Sequence, residues 1–184
     1  MTNQGKESMK SILYFATALA LPIAFAQEKK PTTPQTQRGQ ELFLHSAKGT
    51  ACGTCHTMAG VGNAIAPDLT TMATYAPPRG LVSTMHMSMT EHVQLVKTSS
   101  GNFPGILKQK QGDESEYFDL GQMPPVLRKL TAKEISGTER DQKWQHPPAA
   151  ADYTPQELAD IIGFLKWAAT GATKEIKAAE VAEQ

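Results

Sequence analysis

Hydrophobic and polar positions change rhythm several times along this chain. Lys6 and Lys10 precede Ile12-Leu13-Tyr14-Phe15 and an Ala/Leu-rich run that ends in Ala24-Phe25-Ala26. A basic start, an apolar run of about 16 residues and a small-x-small site describe a secretory signal peptide over residues 1–26. The run is shorter than the ~20 apolar residues of a spanning helix, and an uncleaved anchor is the alternative. Residues 27–36, QEKKPTTPQT, read as a polar linker. Residues 37–46 read as a first short helix. Near the other end, Thr154-Pro155-Gln156-Glu157 is a capping box with Pro at the first helical position. Leu158, Ile161, Ile162, Leu165 and Ala169 then recur at helical spacing, and Gly171 stops the helix. Residues 172–184 are an Ala/Glu/Lys tail.

The middle of the chain is different. Residues 78–89 suit a short helix with Leu81, Val82 and Met85 on one side. Beyond it come short runs at His92–Val96, Phe103–Gln109, Glu116–Leu120 and Val126–Leu130, separated by Ser-Ser-Gly-Asn and Gln-Gly-Asp turn chemistry. That texture predicts a small antiparallel sheet of three or four strands within residues 91–136. Thr131 and Glu134 imitate another helix start, but Ser136-Gly137-Thr138 would end that helix after one turn.

Composition narrows the chemistry. Net charge is zero with 20% charged residues, and no basic stripe suggests nucleic acid. Removal of residues 1–26 takes away two Lys and one Glu, leaving a net charge of −1. The two cysteines of the whole chain stand in Cys52-Gly53-Thr54-Cys55-His56. Three chemistries use such a pair. A structural zinc site needs four ligands, and no second Cys pair or finger-spaced His pair follows. A thioredoxin-like dithiol needs a strand before it and a helix after it, whereas polar helix and loop flank this pair. The third is covalent haem, for which Cys-x-x-Cys-His is the attachment pattern. Two thiols add to two vinyl groups on one porphyrin edge, and the next residue lies where a neutral imidazole can ligate iron.

The stretches Gly39-Gln40-Glu41-Leu42-Phe43, Cys52–His56 and Gly62-Asn63-Ala64-Ile65-Ala66-Pro67-Asp68-Leu69, with the closing TPQELADIIGFLKWA, resemble a class I monohaem c-type cytochrome domain. The resemblance implies a mainly α fold over residues 37–171, with the small sheet of 91–136 inserted between the haem motif and the distal-ligand loop. It implies one covalent haem c, with Cys52 and Cys55 as thioethers and His56 as proximal iron ligand. Pro67 matches by position the loop proline whose carbonyl meets the proximal imidazole; the plainer reading of Pro67 is a loop terminator.

Two residues compete for the far face of the iron. Met123-Pro124 is the family's usual distal signature. His146-Pro147 lies 8 residues before the helix cap Thr154, where that family carries its distal ligand, whereas Met123 lies 31 before it. His146 is therefore favoured and Met123 is the alternative. Met85, His86, Met87, Met89 and His92 are further possibilities in TMHMSMTEH. Nothing in the spacing suggests a substrate-processing constellation. The expected function is an exported, periplasmic electron carrier serving periplasmic or membrane-associated redox proteins. The rival readings are a haem subunit of a dehydrogenase and an open-site haem enzyme or sensor of the peroxidase or gas-binding kind.

Overall fold

The computed structural model describes residues 30–46, 48–85, 91–147 and 153–182. Residues 1–26, expected to be a signal peptide, lie outside them, as do His86, Met87 and Met89. Among the described residues no helix is long and apolar enough to cross a membrane.

The first helix, α1 (Pro34–Leu44), begins earlier than its apolar pattern suggests. Thr33 is the reason. Its hydroxyl accepts from the Thr36 amide at 3.1 Å, and the Thr33 amide donates back to Thr36 Oγ1 at 3.1 Å. Pro34, at the first helical position, loses nothing by lacking an N–H there. A linker-like TTPQT is thus a helix start.

At the other end, α4 (Pro155–Thr170) has the expected Thr154/Glu157 capping box and a left-handed Gly171 at its C-terminus. It crosses α1 at very close range. A β-carbon on Gly39 would lie 1.9 Å from the Asp160 carbonyl oxygen, so only glycine lets the two backbones meet. Phe43 and Phe164 pack beside the crossing with ring centroids 5.4 Å apart. Arg38 closes its rim with a two-pronged pair to the buried Asp160, at 2.7 and 3.0 Å. Three shorter helices, α2 (Thr70–Tyr75), α3 (Pro78–Met85) and α5 (Ala178–Val181), complete the helical part. Its core includes Phe43, Met58, Leu81, Ile161, Ile162, Phe164 and Leu165. The C-terminal segment is docked rather than trailing. Gln35 holds the Ile176 backbone by two hydrogen bonds, at 2.8 and 3.0 Å, and Ile176 and Val181 are buried.

Between α3 and α4 the chain forms a five-stranded antiparallel sheet. A two-stranded ribbon, β1 (Thr57–Met58) and β2 (Val61–Gly62), precedes it. The sheet comprises β3 (Gln94–Thr98), β4 (Phe103–Gln111), β5 (Glu114–Asp119), β6 (Val126–Thr131) and β7 (Ile135–Arg140). Their order is β6-β5-β4-β3-β7. The two edge strands are consecutive in sequence, which forces a shape. In a flat sheet four spacings of about 4.8 Å would hold β6 and β7 about 19 Å apart. The link from Thr131 to Ile135 spans at most about 15 Å even fully stretched. The sheet must therefore curl until its edges approach. Val96, Phe103, Tyr117 and Leu130 fill its concave side as a separate small core. Arg128 lies over the Phe103 ring at 4.2 Å and reaches Asp119 at 3.3 Å. Lys129 and Lys108 flank Glu116 on β5 and hold its carboxyl down at about 2.

The architecture corrects the expectation of a mainly α chain resembling a class I c-type cytochrome domain. Helix takes 34% of the described residues and strand 25%, so the fold is mixed α/β. The sheet extends beyond residue 136 and has a fifth strand. Thr131 and Glu134 do make half of a capping box, with the Thr131 amide and hydroxyl both donating to Glu134 Oε2 at 2.7 Å, while the Glu134 amide donates to the Thr131 carbonyl at 3.0 Å. They do so in the tight turn between β6 and β7, and residues 135–140 run on as strand.

Candidate functional site

The cysteine pair brackets a single 3-10 turn, Cys52–Thr54 with Cys55 as its C-cap, which is the next helical element after α1. Backbone bonds close it: the amides of Cys55 and His56 both donate to the Cys52 carbonyl, at 3.2 and 2.9 Å. The loop from 62 to 69 then folds back over the turn. Asn63 donates from its side chain to the Gly53 carbonyl at 3.1 Å, and the amides of Ile65 and Ala66 donate to the Cys55 carbonyl. Gly62 makes this approach possible. Its φ is +97°, and a β-carbon there would lie 2.3 Å from the His56 carbonyl oxygen.

This folding-back places the Pro67 carbonyl 2.7 Å from His56 Nδ1. Asp68 holds the carbonyl's peptide in place: it accepts from Thr57 Oγ1 at 2.6 Å and from the Thr70 amide at 2.8 Å. The second bond lies at the entry to α2, a helix the apolar pattern does not show. With Nδ1 donating to Pro67, the free imidazole nitrogen is Nε2, which is thereby left as an acceptor or ligand.

Across from the turn lies an apolar cavity of about 310 Å³. Cys52, Cys55 and His56 line one part of it, and Met123, Trp144 and His146 another. Phe43, Leu69, Met72, Met85, Ile106, Leu120 and Leu165 supply much of the rest. The helical part and the sheet thus share this wall. The His56 and His146 rings lie near each other, with centroids 6.0 Å apart and planes inclined by 36°. His146 Nδ1 is 2.9 Å from the Pro147 carbonyl, so in this histidine too Nε2 is the nitrogen left over. Burial pushes the His146 pKa below its ordinary value, which keeps the ring neutral near pH 7, the form that binds a metal.

The thiols are free and their acidity is weak. Burial drives Cys52 up to about 11 and raises Cys55 in the same direction. A dithiol redox centre requires the opposite, a thiolate stabilised near neutral pH. A zinc centre would need several protein donors together. Among the described residues no group of three or more His, Cys, Asp or Glu stands together in that way.

Of the residues singled out by sequence, Cys52, Cys55, His56, His146 and Met123 all reach one cavity, and Pro67 stands behind His56. Met123 occupies the turn between β5 and β6 and is 43% exposed. Met85 also lines the cavity, whereas His92 borders a separate shallow groove with Glu91 and Pro67. Ile106 and Leu120 also line the cavity, and sequence does not reveal them because strand alternation does not say which face of a curled sheet meets the helices. No protein-family model and no curated protein matches the chain. What fold and site define directly is a small mixed α/β protein with a thiol pair and two neighbouring imidazoles lining one apolar cavity.

Proposed function

We propose that this is an exported electron-transfer protein carrying one covalently bound haem c, which passes single electrons between periplasmic or membrane-associated redox partners. The observation that carries the reading is the 6.0 Å separation of the His56 and His146 rings over the Cys52–Cys55 turn. His56 and His146 would hold the iron through Nε2, the nitrogen that each ring leaves free. Two protein ligands suffice for such an iron, because a porphyrin supplies the other four nitrogens; a cluster of three protein donors is therefore not demanded. Bound haem would supply an iron that gains and loses one electron without changing its ligands.

The chain's own residues have defined tasks in this reading. Cys52 and Cys55 are the thioether-forming thiols, and their high pKa keeps them protonated until attachment. Pro67 fixes the His56 tautomer and orients its ring. Phe43, Leu69, Met72, Leu120 and Leu165 exclude water from the metal's surroundings. His146 fills the position that an oxygen-activating or gas-binding protein would leave open, which favours a carrier over an enzyme or sensor. The test is a reversible redox titration combined with exposure of the reduced protein to CO. A one-electron wave and slow CO uptake are expected. Rapid CO binding to untreated reduced protein would favour the open-site reading instead.

A further inference from the structure

We propose that Asp141 and Trp144 are positioning residues for His146, a step that rests on the assignment of His146 as an iron ligand. The hydrogen bond at the His146 ring is to Pro147, its own neighbour in sequence. A bond to the next residue moves with the histidine and cannot fix the ring relative to the fold. Something else must hold the strap on which it sits.

The strap leaves β7 at Arg140. Asp141 ties it down at once, its amide donating at 3.0 Å to the carbonyl of the buried Val93, just ahead of β3. Asp141 Oδ1 then accepts from the amides of Lys143 and Trp144, at 2.9 and 3.0 Å. These two bonds turn the chain back toward the cavity and fix the backbone of Trp144. The Trp144 indole stands edge-on to His146, with centroids 6.1 Å apart and planes at 84°. Both side chains line the cavity. On the other side Pro147 confines the backbone of His146 to extended conformations. Asp141 therefore anchors the strap to the sheet, and Trp144 carries that anchor to the imidazole. The sheet, on this view, is the mount of the distal ligand as well as a wall of the cavity.

The haem-loaded protein tests this through the rate at which CO replaces the distal ligand after reduction, read with the low-spin absorption. Asp141→Ala and Trp144→Ala should each raise that rate about fivefold to tenfold, the factor expected from loss of one side chain-to-backbone cap or its equivalent. Asp141→Asn keeps an Oδ1 acceptor and should stay within about twofold of the parent. Trp144→Phe keeps an aromatic edge and should fall between. A merely structural role would lower the melting temperature and leave the CO rate alone. Unchanged rates in both alanine variants, beside a large change in His146→Ala, would overturn this inference and spare the ligand assignment. If His146→Ala itself leaves the rate unchanged, or if the parent protein carries no haem, both fall. Should an alanine variant fail to fold, the inference is judged on Trp144→Phe, where a parental CO rate overturns it.

Discussion

His146→Ala is expected to abolish most of the low-spin absorption of the haem-loaded protein, while Met123→Ala leaves it nearly intact. Both side chains line the same cavity, so proximity alone does not choose between them. Geometry does. The His146 ring lies 6.0 Å from the His56 ring and is partly buried, with Nε2 left free by its bond to Pro147. Met123 sits on an exposed turn of the sheet. Its thioether would be the stronger influence on potential if it were the ligand, since Met/His ligation raises the potential of haem iron. Paired variants therefore give two independent readouts. His146→Ala should open the reduced iron to CO, and Met123→Ala should shift the midpoint potential only slightly. A far-red sulfur-to-iron charge-transfer band in the oxidised parent, lost in Met123→Ala, would reverse the assignment.

Gly39→Ala should destabilise the protein strongly, against the usual sign for that substitution. In an open helix, replacing Gly by Ala gains about 0.8–1 kcal/mol of helix propensity. Here the added carbon would meet the Asp160 carbonyl at 1.9 Å and Phe164 Cβ at 2.7 Å. The first obstacle is backbone, so no side-chain rotation relieves it. Overpacking of this kind costs about 3 kcal/mol or more, which outweighs the propensity gain. A net loss of about 2 kcal/mol corresponds to a fall of about 4–8 °C in melting temperature for a domain of this size. The change reaches the site as well, because Phe43 of α1 and Leu165 of α4 both line the cavity. Thermal unfolding followed by circular dichroism is the measurement. A melting temperature equal to or above the parent's would mean that α1 and α4 do not cross at Gly39.

The parts of this fold that were legible in sequence are those with local causes. Thr154 and Glu157 announced α4, because both halves of a capping box lie within one turn of chain. The alternation and turns between residues 92 and 130 announced strands. Cys52–His56 announced itself by spacing alone. What was not legible depends on contacts made far away. Gln35 grips Ile176 across 141 positions of sequence, so the C-terminal segment looked like a loose tail. Residues 135–140, ISGTER, carry too little apolar character to be recognised as strand, and it is pairing with β3 that makes them one. The Thr131/Glu134 pair shows the same limit from the other side. In both places the Thr amide and hydroxyl donate to the Glu carboxylate, but at Thr154 the Glu157 amide donates to the Thr hydroxyl and starts a helix, whereas at Thr131 the Glu134 amide donates to the Thr carbonyl and closes a hairpin turn. At the site, chain distance from Thr154 singled out His146 over Met123, but the shared wall of sheet and helices could not be read from either residue.

The decisive observation is the intact mass and colour of the mature protein, produced in a host that can export it and form thioether bonds to haem. We expect a red protein, denatured without loss of colour, heavier by one haem than the polypeptide beginning at Gln27. A colourless product at the bare polypeptide mass from such a host would contradict the assignment of Cys52, Cys55 and His56.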